Sequence, residues 1–393
     1  MLNKNNEREL AYVVRINDIK PIQGSDNCEC AVVNGWNVMV RKNTLKPGDL
    51  AVYFEIDSKL DITKPEFAFL ISKKGHIKTQ KYTFGGKGSF LSQGLLMPFS
   101  DFGWEDGKYA EGDFLTKELG ITYYEPEDNT RKSNAGVDKY KKMAQRNGKL
   151  FSKQPFRWLM KRGWGRKILF VFFGKKRDKR GWPAWVVKTD EERIQNMPYI
   201  LQDKEPWIAT EKIDGTSTTF TIKRKPFGKF DFYICSRNVV FDKPDKVCYY
   251  DTNVYVEMAV KYKIEEVLTK LMKTVYKDEE WITLQGETYG EGIQKRDYNL
   301  QWHNFMGFNF ITASKGRMNS KEAADMFLKY GIPWVPILDE NFILPDTVEE
   351  LLDYATGTSV IDGGMREGVV FRSQDGFKSF KAVSNEFLLK YHQ

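Results

Sequence analysis

Histidine and cysteine are scarce in this 393-residue chain. It has three histidines (His76, His303, His392) and four cysteines (Cys28, Cys30, Cys235, Cys248), none in a metal-ligand or disulfide pattern. That argues against histidine-bound zinc and a stapled scaffold, and the thiols read as free in a cytoplasmic or other reducing compartment. No apolar run approaches the ~18 residues needed to span a bilayer. The N-terminus, MLNKNNEREL, lacks the apolar centre of a secretory signal. Lysine, carboxylates and backbone are the chemical tools left. A composition 41% hydrophobic, with mean hydropathy −0.53, is that of a folded chain in water. The length suits roughly two to three domains.

Net charge is +8, but it is not evenly spread. Between Arg131 and Arg180, 18 lysines and arginines stand against Asp138 and Asp178, a net of +16, which leaves −8 for the remainder. Trp158, Trp164, Phe156 and the run ILFVFF (168–173) sit among these cations. Cations interleaved with aromatics suit a polyanion that carries stackable bases. A solvated insertion and an anionic membrane surface fit the same pattern. Lys161 and Arg162 are candidate RNA contacts on the first of these readings.

Residues 1–125 show short alternating strands and glycine turns, with Asn34-Gly35 marking a hairpin, and read as a small β-barrel with Tyr53 and Phe54 in its core. Residues 126–181 form the basic, aromatic linker or insertion. From Trp182 to Gln393, strand-like segments alternate with helical ones. Helices are expected over 254–277, over 320–331 with Ser320 as cap, and over 347–357 with Thr347 as cap.

Lys212 carries the chemistry. In ATEKIDGTSTTFTI (209–222) it precedes an Asp214-Gly215 turn. An amine at a hairpin mouth, beside a glycine that lets a phosphate approach, is placed to attack an α-phosphate once burial and nearby cations lower its pKa. An exposed turn lysine fits the tetrapeptide equally well. The order of the segments downstream of Lys212 decides: SRN (236–238), LQGETYG (284–290), GFNF (307–310), EGVVFR (367–372) and SFKAVS (379–384). Jointly these resemble the motifs of the covalent nucleotidyltransferase superfamily of ATP-dependent ligases and capping enzymes. In the N-terminal half, GDLAVYFEIDSKL, KTQK and LSQGLLMP, with WVVKTDEERIQN (185–196), are similar to a class of ATP-dependent RNA ligases whose OB domain comes first. The basic stretch aligns with nothing in that class.

The resemblance implies an α+β fold, an N-terminal OB-like β-barrel plus a mixed α/β nucleotidyltransferase (ATP-grasp-like ligase) domain built on antiparallel sheets. It implies an RNA ligase that forms a lysyl-AMP on Lys212, passes AMP to an RNA 5′-phosphate and joins it to a 3′-hydroxyl. Lys381 would neutralise the α-phosphate. Arg237 and Glu287 would contact the ribose, Phe308 would stack on adenine, and Glu211, Ile213, Glu367 and Arg372 would complete the nucleotide site. Simple core packing fits Phe308 as well, and Phe310 better. Glu367 and Glu287 would serve a divalent metal, Mg²⁺ or Mn²⁺. Lys378 is a further RNA candidate, although period-2 geometry puts Ser379 on the face of Lys381. The partner would be nicked duplex RNA or broken strand ends, met by a monomer. A DNA ligase or capping-type transferase is the alternative, against which the 12 residues after Lys381 leave no room for a C-terminal OB domain. A non-enzymatic nucleic-acid-binding protein is the third reading.

Overall fold

The computed structural model describes residues 1, 7–105, 107–124, 148–151, 153–173, 182–241 and 253–391. Cys248, His392 and both ends of the basic stretch (131–147 and 174–180) lie outside these residues. Two compact units are present, Met1–Tyr124 with Trp182–Gln393, and Glu125–Gly181.

In the first unit, the barrel joins an antiparallel sheet of Ala11–Arg15, Leu50–Phe54 and Leu95–Pro98 to a meander of Asp18–Pro21, Cys28–Val33 and Trp36–Arg41. Val33 pairs with Trp36, so Asn34 and Gly35, both at positive φ, make the two-residue turn that their sequence announces. Tyr53 and Phe54 are fully buried, on opposite faces of one strand, in two adjacent cores.

Two antiparallel sheets form the catalytic region. A four-stranded sheet runs in the order Ile337–Phe342, Trp207–Lys212, Gly368–Ser373, Ser379–Val383. A six-stranded sheet runs Val240–Phe241, Phe230–Cys235, Thr216–Arg224, Trp281–Gly290, His303–Thr312, Gly316–Arg317. The chain crosses between sheets at Ile213–Gly215. Gly215 is obligatory there, because a Cβ would lie 2.4 Å from the Thr288 carbonyl oxygen and 2.9 Å from Glu287 Cγ.

Two helix expectations need correcting. The helix expected over 254–277 is two helices, Val254–Lys261 and Ile264–Thr274, broken at Lys263 in the left-handed region. The buried positions slip across the break, from Met258 and Ala259 to Ile264, so one continuous helix would turn the second apolar face off the sheet. The helix Ser320–Leu328 is capped by Asn319, not Ser320, with Asn319 Oδ1 accepting from the Lys321 and Glu322 amides. Thr347 caps Val348–Ala355 in a full capping box with Glu350.

Among the described residues, the second unit shows three short helices, Gly148–Phe151, Gln154–Met160 and Gly163–Phe173. Phe151 and Leu169 centre a small core with Phe156, Leu159, Met160 and Phe173. Gly165 admits close approach, since a Cβ would sit 2.3 Å from the Leu159 carbonyl oxygen.

The barrel packs on the catalytic region through its Asn34-Gly35 turn, where a Gly35 Cβ would lie 2.5 Å from Val348 Cγ1. Gly35→Ala combines that clash with a left-handed backbone, so it is expected to cost about 1–3 kcal/mol. The urea midpoint should fall; an unchanged midpoint would show that the turn is not pressed on the helix.

Candidate active site

Alternation along the four-stranded sheet sorts the motif residues onto two faces. Lys212 pairs with Gly368, Thr210 with Val370, and Val370 with Lys381. Thr210, Lys212, Val370, Arg372 and Lys381 therefore share one face, which lines a cavity of about 300 Å³ between the two sheets. Trp207, Ala209, Val369, Phe371, Phe380 and Ala382 share the other and fill the core. Glu211 lies on that core face. It is 2% exposed, and its carboxylate accepts from Ser359 Oγ (2.5 Å) and the Val360 amide (2.9 Å). Glu211 and Ile213 border the cavity, but the Glu211 side chain is committed elsewhere.

The Lys212–Gly368 register puts Glu367 beside the lysine, and Lys212 Nζ donates to Glu367 Oε1 at 2.7 Å. Burial works to strip the Lys212 proton, but Glu367 and Glu287 outweigh it and the net shift is upward. Lys381 moves the other way: burial, then the Lys212 charge, lower its pKa. Its ammonium donates to Asp190 Oδ1 at 3.3 Å.

The six-stranded sheet supplies the facing wall. Glu287, in register with Ser217, Phe308 and Arg237 all border the cavity. Burial pushes the Glu287 carboxyl up to about 8 and that of Asp214 to about 7, with Glu367 adding to both. Phe308 is half-buried with the Arg372 guanidinium 5.7 Å from its ring centroid, whereas Phe310 is fully buried in the core. Arg372 is 3% exposed and donates to Asn309 Oδ1 and Thr210 Oγ1, each at 3.0 Å, with Glu191 at 3.7 Å. Arg237 pairs with Asp190 at 2.5 Å.

Three candidates are not among the residues that line the cavity. Lys378 is exposed and pairs with Asp203 at 2.6 Å. Lys161 and Arg162 belong to the separate helical unit, where the Arg162 guanidinium sits 4.0 Å from the Trp158 ring centroid.

Sequence reasoning passed over Asp190 and Glu191. Asp190 bridges Arg237 and Lys381, while Glu191 accepts from Ser379 Oγ and faces Arg372 and Arg317. The signal was the acid run TDEE (189–192) in a segment already marked by resemblance, from which no residue was singled out. Asp214 was read as a turn residue, yet it is buried, and its amide donates to Tyr298 Oη at 2.7 Å.

The donor set fits a hard cation. Glu367 Oε2 is buried with no hydrogen-bond partner among the described residues, and carboxylate oxygens are the ligands Mg²⁺ and Mn²⁺ prefer. Among the described residues, no three His, Cys, Asp or Glu side chains converge to hold a metal unaided. Water and phosphate oxygens would complete such a shell.

Residues 205–392 match the RNA ligase family model, and residues 10–99 match an OB-fold domain model. The chain carries an RNA ligase domain behind an OB-fold domain. A search of curated proteins finds no match. Among solved structures, the chain is similar to a Naegleria gruberi RNA ligase mutant with ATP and Mn, at 28% identity and TM-score 0.63, over 98% of this chain and 100% of that one. The Naegleria gruberi ligase with PPi matches at 28% identity and TM-score 0.62, over 98% and 99%. A further mutant of it, with AMP and Mn, matches with the same identity, TM-score and coverage. The α+β architecture and the enzymatic class expected from the motifs hold for the ligase.

A raised carboxyl pKa stabilises the fold below its unfolded value, and that contribution is lost as pH rises through the folded value. With Glu287 at about 8, Glu287→Gln should flatten the fall in melting temperature between about pH 5 and pH 8.5. Identical slopes in wild type and variant would show that Glu287 keeps no proton.

Proposed function

We propose that this chain seals RNA by three phosphoryl transfers that begin at Lys212. The observation that carries the reading is the Lys212–Glu367 pair at 2.7 Å, with Lys212, Lys381 and Glu287 lining one cavity. In the first transfer, Lys212 Nζ bonds to the α-phosphorus of ATP as the bond to pyrophosphate breaks. Before attack the ammonium must shed a proton, and Glu367 is in reach to accept it. The Lys381 charge opposes protonation of Lys212 and meets the α-phosphate charge. In the second transfer, an oxygen of the RNA 5′-phosphate attacks the adenylate phosphorus, the P–N bond breaks, and Lys212 regains a proton. In the third, the 3′-hydroxyl attacks the 5′-phosphate, AMP leaves, and the hydroxyl proton passes to a base.

The roles around this centre follow from position. Phe308 offers its ring to adenine, Glu287 accepts from a ribose hydroxyl, and Arg237 leaves Asp190 to meet the nucleotide. Arg372, held by Asn309 and Thr210, orders the wall next to Phe308. Ile213 shapes the cavity wall, and Glu211 braces the Ser359–Val360 loop from behind. Glu367 and Glu287 would hold Mg²⁺ or Mn²⁺, which when bound neutralises charge on the triphosphate. The ATP, AMP, Mn and PPi named with the Naegleria gruberi structures support this set of ligands.

The substrate is nicked duplex RNA or broken strand ends, with Lys378, Lys161 and Arg162 as outlying phosphate contacts. All groups invoked come from one chain, which suits a monomer. The free thiols of Cys28 and Cys30 suit a reducing compartment.

With α-labelled ATP and Mg²⁺ the wild type should form a labelled protein adduct that Lys212→Ala abolishes. Lys381→Ala should slow adduct formation by roughly 10²–10³-fold, the scale of losing one charge-stabilising donor. A wild type that labels with no nucleotide would overturn the reading.

A further inference from the structure

The helical unit carries a surface that the sealing chemistry does not use. Between 148 and 173 the sequence has seven lysines and arginines and no acid. Lys153, Arg157, Lys161, Arg162 and Lys167 are all exposed. On the same unit, Trp158, Trp164, Ile168 and Phe172 are 50, 52, 46 and 75% exposed. Trp164, Ile168 and Phe172 recur every fourth residue of Gly163–Phe173, so they share one face of a helix about 16 Å long. The opposite side of that helix is satisfied, because Leu169, Phe170 and Phe173 pack in the core of the unit.

Two details decide what this face meets. The indoles of Trp158 and Trp164 meet edge to face at 6.1 Å, and about half of each side chain stays exposed. The Arg162 guanidinium lies 4.0 Å from the Trp158 centroid. In a lipid interface, cations flank a continuous apolar face and keep to the water side. Here a guanidinium sits on the aromatic itself, so insertion of Trp158 into acyl chains would carry a charge with it. A nucleic acid asks for this mixture, with cations for phosphates and open indoles for bases.

We infer that the helical unit is a second RNA-binding site, separate from the catalytic cavity. Trp158 and Trp164 stack on unpaired bases, and Lys161, Arg162 and Lys167 neutralise the phosphates on either side. The site reads no sequence, since stacking and phosphate contacts serve every base. The choice of RNA as the polyanion rests on the function proposed above.

The test uses the full chain and a fluorescent single-stranded RNA, with affinity followed by anisotropy over a range of salt. Neutralising three phosphates contributes about 0.7 each to the salt slope on a single strand, so Lys161→Ala, Arg162→Ala and Lys167→Ala together should lower that slope by about 2. Trp158→Ala with Trp164→Ala should weaken binding about 5- to 150-fold for each base unstacked. Trp158→Phe with Trp164→Phe should restore most of it, since an aromatic face remains; this also separates lost stacking from a damaged unit. Wild-type affinity and slope in both alanine variants would overturn the inference. So would tryptophan variants that lose co-sedimentation with phosphatidylserine vesicles while RNA affinity stays. Adduct formation by the wild type, measured in parallel, reports on the proposed function separately. Its absence would leave the RNA result readable.

Discussion

The ion pair between Lys212 and Glu367 is the contact on which the site depends. It follows from strand register: Lys212 ends one strand, Gly368 starts its antiparallel partner, and Glu367 is the residue before that start. A one-residue slip would send Lys212 to the core face and Glu211 into the cavity. Register is therefore held hard. The core face carries Trp207, Phe371 and Phe380, whose burial would be forfeited by a slip. The same packing that stabilises the sheet thus aims Lys212 into the cavity.

Around the pair, carboxyl groups gather: Glu287 borders the cavity, and Asp214 and Glu367 are buried. Glu287 and Asp214 are pushed up by burial first and by Glu367 second, while Lys212 is held charged. On the proposal above, a divalent cation held by Glu367 and Glu287 would bind in exchange for protons. It also has a built-in contest over the lysine proton, between Glu367, which holds it, and Lys381, which repels it.

The barrel contributes to the catalytic sheet from outside the cavity. Its Gly35 turn presses on Val348 and Leu352, and Leu91 packs with Val383 and Leu388 beyond the last catalytic strand. The Arg193 guanidinium lies 5.7 Å from the Trp36 ring centroid, and Arg193 bridges to Lys381 through backbone. The OB domain therefore braces the strand that carries Lys381.

Much of this was legible in order alone. Lys212, Glu287, Phe308, Glu367 and Lys381 stand in short motifs, and the cavity gathers all except Glu367 directly into its lining, with Glu367 bonded to Lys212. Turn chemistry at Asn34-Gly35 and the Thr347 cap were also legible, because both are local backbone requirements written in side chains. Less legible were the acids that come from afar. Asp190 and Glu191 acquire meaning only when the segment before Trp207 runs past Arg237, Lys381 and Arg372. Nor could spacing show that the apolar face of 254–277 slips at Lys263, since two helices docking on one sheet need not share a register. The sequence by itself determined which residue types could do the chemistry, with few histidines and cysteines, a lysine in its motif and acids downstream. Tertiary structure alone decided which carboxylates are buried, which cation is paired and which face each strand residue takes. Those depend on packing between segments from about 50 to more than 150 residues apart, as Asp190 with Arg237 and Lys212 with Glu367 show, and no local pattern encodes such a distance.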